Sequence, residues 1–414
     1  MGSSSSGHQE EDDGGRPPDS SLPDIDLVCF SLIVDDIVYP DGRTSMAQVG
    51  GGGPQVLWGY AAAAAAISGD ASPSPPPSIA LAAGVGERFA ETTPEVAEWL
   101  AGPCLGADLS GLRPIPGLET PRAWQILERD GRRTQVWRCA EGAPLYEQLR
   151  PPWASLPERL RKQARSYHIG LHAAYPPRSL LRELRRAVDD GGGGGGKSGG
   201  LVSAETYTAC DAPLSRADLS ALLAPLDIFS PNEDEAASML GVSLPPLEAT
   251  LPPSQADDDR EEQEQRRAAL VERLLLEPLL DAAEAGSERG RGLTVTLRRG
   301  QRGAMARCSS DSCGSVSVPA ATDLSVVDPV GCGNAFCGAF LAAMHRDPAD
   351  LRGAVAWGCA AGGTMAEHEG VPRLPLSALA PVVGRRARAL MGVRARACAC
   401  AGRPGVAIGV PRRL

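Results

Sequence analysis

The run Asp328-Pro329-Val330-Gly331-Cys332-Gly333-Asn334 constrains the fold more than any other part of the chain. It follows an apolar stretch ending at Val326-Val327 and precedes a segment, Ala335 to Met344, in which Phe336, Phe340, Leu341 and Met344 recur on one helical face. Two glycines at a strand-to-helix turn allow close backbone approach, and the free N–H groups of a helix start attract anions. The stretch is therefore expected to be an anion cradle on a helix packed against a sheet.

The rest of the chain supplies that sheet. Asp26 to Val34 reads as one buried strand, and Ile79 to Ala83, Ser166 to Leu171, Leu201 to Tyr207, Asp227 to Phe229 and Leu293 to Leu297 read as further short strands. Helical or loop segments separate them, which predicts a mostly parallel sheet with helices on both faces. Thr120 to Glu128 and Arg133 to Arg138 flank Asp130-Gly131, a hairpin signal. Residues 1–22 read as a polar, acidic, disordered arm, and 23–380 as the folded unit. Insertions are expected near 189–200 (glycine-rich) and 245–265 (Pro-rich, then acidic), with a flexible Arg-rich tail over 381–414.

Gly191 to Gly196 followed by Lys197-Ser198 matches G-x-x-x-x-G-K-S letter for letter. A working loop of that kind needs a strand before it and a helix after it. Here a helix-like segment, Leu180 to Val188, precedes it and a strand-like one follows, so it is read as a linker.

A formal net charge of −10 argues against a general nucleic-acid binder. No apolar run reaches membrane-spanning length. The 11 cysteines include no C-x-x-C pair and no histidines at zinc-ligand spacing, which favours reduced thiols. The start, Met1-Gly2 and four serines, formally fits N-myristoylation, as serine-rich starts do by chance. Glu10 to Asp13 disfavour a transit peptide, and the expected location is the cytoplasm.

Four ordered motifs resemble those of the ribokinase-like (pfkB) carbohydrate kinases. The stretch 328–334 resembles D-x-x-G-A-G-D, with Cys332 for Ala and Asn334 for the final Asp. Pro231-Asn232-Glu233-Asp234-Glu235 resembles P-N-x-x-E. Gly50 to Gly53 before the Ala-rich segment Tyr60 to Ile67 resembles the early G-G loop. Leu297 to Ala304 resembles the strand and G-x-x-G turn before the signature. The G-x-G-N variant, with Thr120 to Trp124, resembles a divergent eukaryotic branch.

The resemblance implies a ribokinase-like α/β fold with a small β-sheet lid near 120–138, and transfer of phosphate from ATP, with Mg²⁺ and possible use of a monovalent cation, to a sugar, nucleoside or polyol hydroxyl. It implies that the Gly331, Cys332, Gly333 and Asn334 turn holds the terminal phosphate, and that Asn232 and Glu235 orient nucleotide and Mg²⁺. Gly300, Gly303 and Gly363 would lie on the nucleotide side, and Gly51 and Gly52 with Asp35, or its neighbour Asp36, on the substrate side. Asp328 would either help bind the monovalent cation or cap the turn, and Asn232 and Glu235 equally fit an N-cap with an acidic first turn. The Asn that follows the G-G loop in relatives falls here on Gln55 or Val56, so the substrate is not inherited. His168 and His172 lie on and beyond a strand, where i,i+4 spacing does not join their rings. No nucleic-acid or membrane partner is implied, while a homodimer through the lid is allowed.

The relatives' base is an Asp where this chain has Asn334, and a carboxamide oxygen is far too weakly basic to take a hydroxyl proton. Losing a positioned base costs about 10²–10⁴-fold in rate. A loose phosphoryl-transfer transition state needs little early proton removal, so activity is expected to be reduced rather than necessarily absent. A catalytically dead pfkB-like scaffold is the alternative. On this reading Asn334→Asp should raise turnover in an ATP-consumption assay, provided the substrate site is intact.

Overall fold

A computed structural model of the chain describes residues 25–69, 76–129, 133–190, 199–245, 257–286, 292–310 and 314–392. The N-terminal arm, the Asp130-Gly131 turn, the glycine run with Lys197-Ser198, residues 246–256 and the chain beyond 392 lie outside the described residues.

The strands are β1 (Ile25–Phe30), β2 (Ile33–Val38), β3 (Thr44–Gly50), β4 (Ile79–Gly86), β5 (Leu112–Ile115), β6 (Arg122–Leu127), β7 (Arg133–Trp137), β8 (Ala164–Leu171), β9 (Val202–Thr206), β10 (Ile228–Ser230), β11 (Thr294–Arg298), β12 (Ala304–Cys308) and β13 (Val316–Val318). Nine form the main sheet in the order β13-β12-β11-β10-β9-β8-β1-β4-β5. It is parallel from β11 through to β5, and antiparallel only where β12 and β13 extend its edge.

Alternation along β1 shows why both faces are covered. Leu27 and Cys29 join the core of helices Gly52–Gly69, Cys332–Arg346 and Leu351–Ala366, whereas Val28 and Phe30 join a second core with Leu180, Leu184 and Leu279. Side chains two apart on a strand share a face, so an uninterrupted apolar run is what a doubly covered strand requires.

The run from Asp26 to Val34 is not one strand. It breaks at Ser31, whose φ of 74° is unusual for a residue with a Cβ, and the chain leaves the main sheet for a second one. That smaller sheet has the order β3-β2-β6-β7, with β2 parallel to β6 and the other pairs antiparallel. It contains the expected strands near 120–138 and, in addition, the pair β2–β3. Asp35 and Asp36 consequently sit within a strand rather than in a loop.

Three further expectations are corrected. Val326 and Val327 end no strand; they are 65% and 53% exposed in an irregular segment. Residues 257–265 belong to a helix, Asp257–Val271, in which Glu264 reaches Arg299 and Arg267 reaches Glu233. Residues 381–392 belong to the helix Leu376–Gly392, not to a flexible tail. Its Arg386 is buried, pairing with Asp323 and Glu367 and donating to Thr364 Oγ. An arginine count reads as a solvated tail when one of the arginines is in fact tied down.

The tightest joint is between the helices Gly52–Gly69 and Cys332–Arg346. A Cβ on Gly338 would lie 1.9 Å from the Val56 carbonyl oxygen, and one on Gly59 would lie 2.1 Å from that of Ala335. Glycine at both points lets the backbones touch. Gly338→Ala is expected to push the helices apart and to cost about 1–3 kcal/mol or more, read as a lowered urea midpoint at unchanged slope.

Candidate active site

That joint brings the starts of the two helices together. The helix Cys332–Arg346 begins three residues earlier than its apolar periodicity suggests, with Gly331 as its N-cap at φ 82° and no side chain capping it. Its first N–H groups therefore have no intrahelical partner. Gly333 and Asn334 lie in its first turn, with Cys332 before them.

Three glycines leave room around this start, and polar side chains fill it. A Cβ on Gly331 would lie 2.6 Å from the Gln55 carboxamide carbon, one on Gly333 would lie 2.2 Å from Arg298 Nη1, and one on Gly52 would lie 3.1 Å from Glu205 Oε1. Gly51, at φ 82°, turns the chain from β3 into the helix against the backbone of Leu32 and Ile33.

The side-chain amide of Asn334 is 2.5 Å from that of Gln55 and lies 2.7 and 2.9 Å from the two Glu205 oxygens. A carboxylate accepts and does not donate, so the Asn334 nitrogen faces Glu205 and its oxygen faces Gln55. Glu205, at the end of β9, is 2% exposed. Its Oε2 accepts from Arg298 Nη1 at 3.1 Å and from the Cys337 thiol at 3.4 Å. Burial alone would raise its pKa, but the His168 ring and the Arg298 guanidinium outweigh it and hold the carboxyl below the usual glutamate range. His168 Nε2 lies 3.7 Å from Oε1 and has no hydrogen-bond partner among the described residues. His168, Glu205 and Cys337 offer ligand atoms within 4.8 Å of one another, a grouping their sequence separation hides. Burial, and Glu205 itself, keep Cys337 a thiol, so the set stands as a carboxylate among donors.

Arg298, at the end of β11, spans the site. Its guanidinium also donates to Glu235 Oε2 at 3.1 Å and to the Thr206 carbonyl at 3.0 Å. Asn232 and Glu235 form a capping box: each side chain accepts from the other's backbone N–H at 2.8 Å. Glu235 Oε2 takes Thr206 Oγ1 as well, at 2.7 Å, and burial raises its pKa despite Arg298. This oxygen is filled by donors and stands beside a guanidinium, so it does not fit as a direct ligand of Mg²⁺. Asp328 is fully buried; its oxygens accept from the Val330 and Gly370 N–H groups at 2.9 Å each, which closes the turn, and burial raises its pKa.

The three further glycines expected on the nucleotide side lie on separate elements. Gly300 is exposed with open space around it, Gly303 packs on the backbone of Val318 and Pro319, and Gly363 faces Leu324. On the opposite side Asp35 lies against Gly50 and accepts from Gln125 at 2.9 Å. Asp36 points elsewhere, into Arg122 at 2.7 Å, Arg138 and the Ala47 N–H. That choice between neighbours follows from strand alternation: one carboxylate faces the glycine loop, the other ties β2 to β6.

Sequence reasoning missed Glu205 and Arg298 as site residues. Each leaves a trace, a charged residue at the end of a buried strand, where open α/β sheets place their ligands.

Residues 205–377 match the family model described as pfkB family carbohydrate kinase. Over those residues the chain is similar to a pfkB family domain. The matched segment holds Glu205, the P-N-x-x-E box, Arg298 and the 328–334 turn. No curated protein matches the chain. Among solved structures, the Arabidopsis thaliana ribokinase complexed with ribose and ATP aligns over 87% of this chain and 99% of its own, at 17% identity and TM-score 0.55. The Burkholderia thailandensis nucleoside kinase in complex with inosine aligns over 88% and 97%, at 15% identity and TM-score 0.56. The Xylella fastidiosa fructokinase with bound ATP aligns over 87% and 98%, at 14% identity and TM-score 0.57. The chain thus has the ribokinase fold: a mostly parallel sheet covered by helices, with a small separate sheet.

Burial lifts the Asp35 carboxyl from 3.8 to about 7, with Asp36 and Asp328 adding to the rise and Gln125 and Arg133 opposing it. A raised acid pKa stabilises the fold fully below the unfolded value near 3.8, and that contribution is lost as pH rises through about 7. Asp35→Asn should remove this slope and stabilise the free protein at pH 8 by on the order of 1–4 kcal/mol, read by denaturant titration at pH 5 and 8. Asp36, held below 3.8 chiefly by Arg122 once burial is offset, has the opposite sign: its contribution is present above 3.8 and is lost as pH falls through the lower folded value.

Proposed function

We propose that the chain is an ATP-dependent phosphotransferase acting on a hydroxyl of a sugar, nucleoside or related polyol. The observation that carries this reading is the uncapped helix start at Gly331–Asn334, faced by the Arg298 guanidinium over Gly333 and flanked by the Gly50–Gly53 run. Oriented N–H groups and a guanidinium at one point suit a transferring phosphoryl group, whose charge spreads over its equatorial oxygens. The relatives support the class, since the compared structures are a ribokinase with ribose and ATP, a nucleoside kinase with inosine and a fructokinase with ATP.

In this reading Gly331, Cys332 and Gly333 offer backbone donors to the terminal phosphate, and Arg298 neutralises it. Gly300, Gly303 and Gly363 belong to the nucleotide side. Asp35, Gly51 and Gly52 belong to the acceptor side, where a carboxyl near its midpoint at neutral pH both accepts and donates to hydroxyls. Magnesium enters with the nucleotide, and Asn232 and Glu235, satisfied within their box, support it through water. Asp328 secures the turn, and a monovalent cation has no assigned ligand in this mechanism. Position 334 supplies no base, so turnover dependent on it is lowered by about 10²–10⁴-fold. The same reading treats 23–380 as the core unit, extended by the last helix to 392, in a cytoplasmic protein with the small sheet available for pairing two copies. Among the described residues no helix is long and apolar enough to cross a membrane.

One observation favours a second reading, a pfkB-like scaffold without catalysis. Glu205 and Glu235 hold the Arg298 guanidinium where a phosphate would lie. Nucleotide binding separates the two. A nonhydrolysable ATP analogue with Mg²⁺ should raise the melting temperature of the wild type, because a ligand bound only by the native state stabilises it. Arg298→Ala should weaken that binding by about 10–100-fold, the worth of a hydrogen-bonded charge. Tighter binding by the variant would identify Arg298 as a plug, and no binding by the wild type would leave the scaffold. Turnover is then sought with ribose, fructose and inosine as acceptors.

A further inference from the structure

The carboxylate that position 334 lacks stands across from it. Glu205 is ionised, buried and in contact with the Asn334 amide at 2.7 and 2.9 Å. We propose that carboxylate and carboxamide have exchanged places in this chain: Glu205 is the base that takes the acceptor's proton, and Asn334 is its positioning residue. The proposal rests on the phosphotransferase reading and assigns that reaction its proton acceptor.

Three observations support the exchange. The first is the division of labour between the Glu205 oxygens. Oε2 is taken by Arg298 and the Cys337 thiol, while Oε1 faces Gly52 and the His168 ring; the Asn334 amide lies between the two oxygens, nearer Oε1. Gly52 has no side chain over Oε1, and a Cβ there would sit 3.1 Å from it. A hydroxyl arriving along the Gly51–Gly52 loop therefore meets Oε1. The second is proximity to the phosphate side. The guanidinium on Oε2 is the one lying over Gly333, so one arginine joins the base to the anion cradle. The third is position 334 itself. An Asp there would set a second carboxylate about as close to Glu205 as the amide is now, and two like charges at that distance, one buried and one half-buried, do not both ionise. Asparagine instead donates to Glu205 and fixes its orientation.

In the step this assigns, the acceptor O–H bond breaks and its proton passes to Glu205 Oε1 as the oxygen bonds the terminal phosphorus. The bond from phosphorus to the bridging oxygen breaks, and ADP leaves with that electron pair. Glu205 then releases the proton to solvent. The total charge balances throughout, and Arg298 meets the developing negative charge beside it.

The exchange reverses the expectation drawn from sequence alone for Asn334→Asp. Four full-length proteins test it: wild type, Glu205→Gln, Asn334→Asp and the double variant Glu205→Gln/Asn334→Asp. Each is assayed for ADP formation with whichever of ribose, fructose or inosine the wild type phosphorylates, and each is melted alone. Glu205→Gln should lower kcat by about 10²–10⁴-fold, as loss of a base does, with the KM for ATP little changed. Asn334→Asp should be slower than wild type and melt lower, by about 2–4 °C or more. The double variant restores one carboxylate opposite one carboxamide and should recover melting temperature and at least about tenfold of the lost rate. The deciding pair is the loss of rate in Glu205→Gln together with the loss in Asn334→Asp, since an Asp at 334 alone would raise the rate if Glu205 were merely structural.

Wild-type kcat in Glu205→Gln, or an Asn334→Asp variant faster than wild type, overturns the exchange while leaving the phosphotransferase reading intact. A wild type that turns over none of the acceptors overturns both. The melting data stand apart from activity: an Asn334→Asp protein as stable as wild type removes the like-charge conflict on which the exchange depends.

Discussion

Everything at the site depends on two helices touching through their backbones. Gly59 and Gly338 allow carbonyls of one helix to occupy the space a side chain of the other would fill. Each helix begins at a left-handed glycine, Gly51 or Gly331, and the contact holds those two starts side by side. A wider interface, with ordinary side chains between the helices, would move Gly52 and Gln55 away from Gly331 and Asn334. The glycine turn at 331 and the glycine loop at 50–53 would then no longer share one cluster.

Within that frame the electrostatics close on themselves. Arg298 lies over a helix start, whose positive end disfavours a cation. Glu205 and Glu235 offset this, and each of them is anchored in turn, one by Asn334 and Cys337 and the other by Asn232 and Thr206. The cluster is a set of buried groups of opposite charge that compensate one another. Removing one member leaves the others without compensation, which is why paired substitutions probe it better than single ones.

How much of this was legible depends on whether the relevant partner was local. The helix after 331 and the alternation of strands follow from periodicity along the chain, and the four short motifs pointed to the fold. The break at Ser31 was not visible, because both halves of the run Asp26 to Val34 are buried and read alike. Helix Leu376–Gly392 was missed because Arg386 finds its partners at Asp323, Thr364 and Glu367, far off in sequence. Asn232 and Glu235 were read with two roles open, and the capping box supplies the local one. Glu205 escaped notice for the same reason as Arg386: a carboxylate in a strand acquires its meaning only when the helix carrying Asn334 lies over it.

The route of the chain between the two sheets carries a mechanical consequence. Only Ser31 and Leu32 separate β1 from β2, and only Gly51 separates β3 from the helix that follows. Ser31 and Gly51 both sit at positive φ, and a Cβ on Gly51 would touch Leu32 and Ile33. The β2–β3 half of the small sheet is thus joined to the rest of the fold by two short tethers that lie against each other. One residue of chain leaves little slack between β3 and the helix start, so a tilt of the β2–β3 pair would carry Gly52 with it.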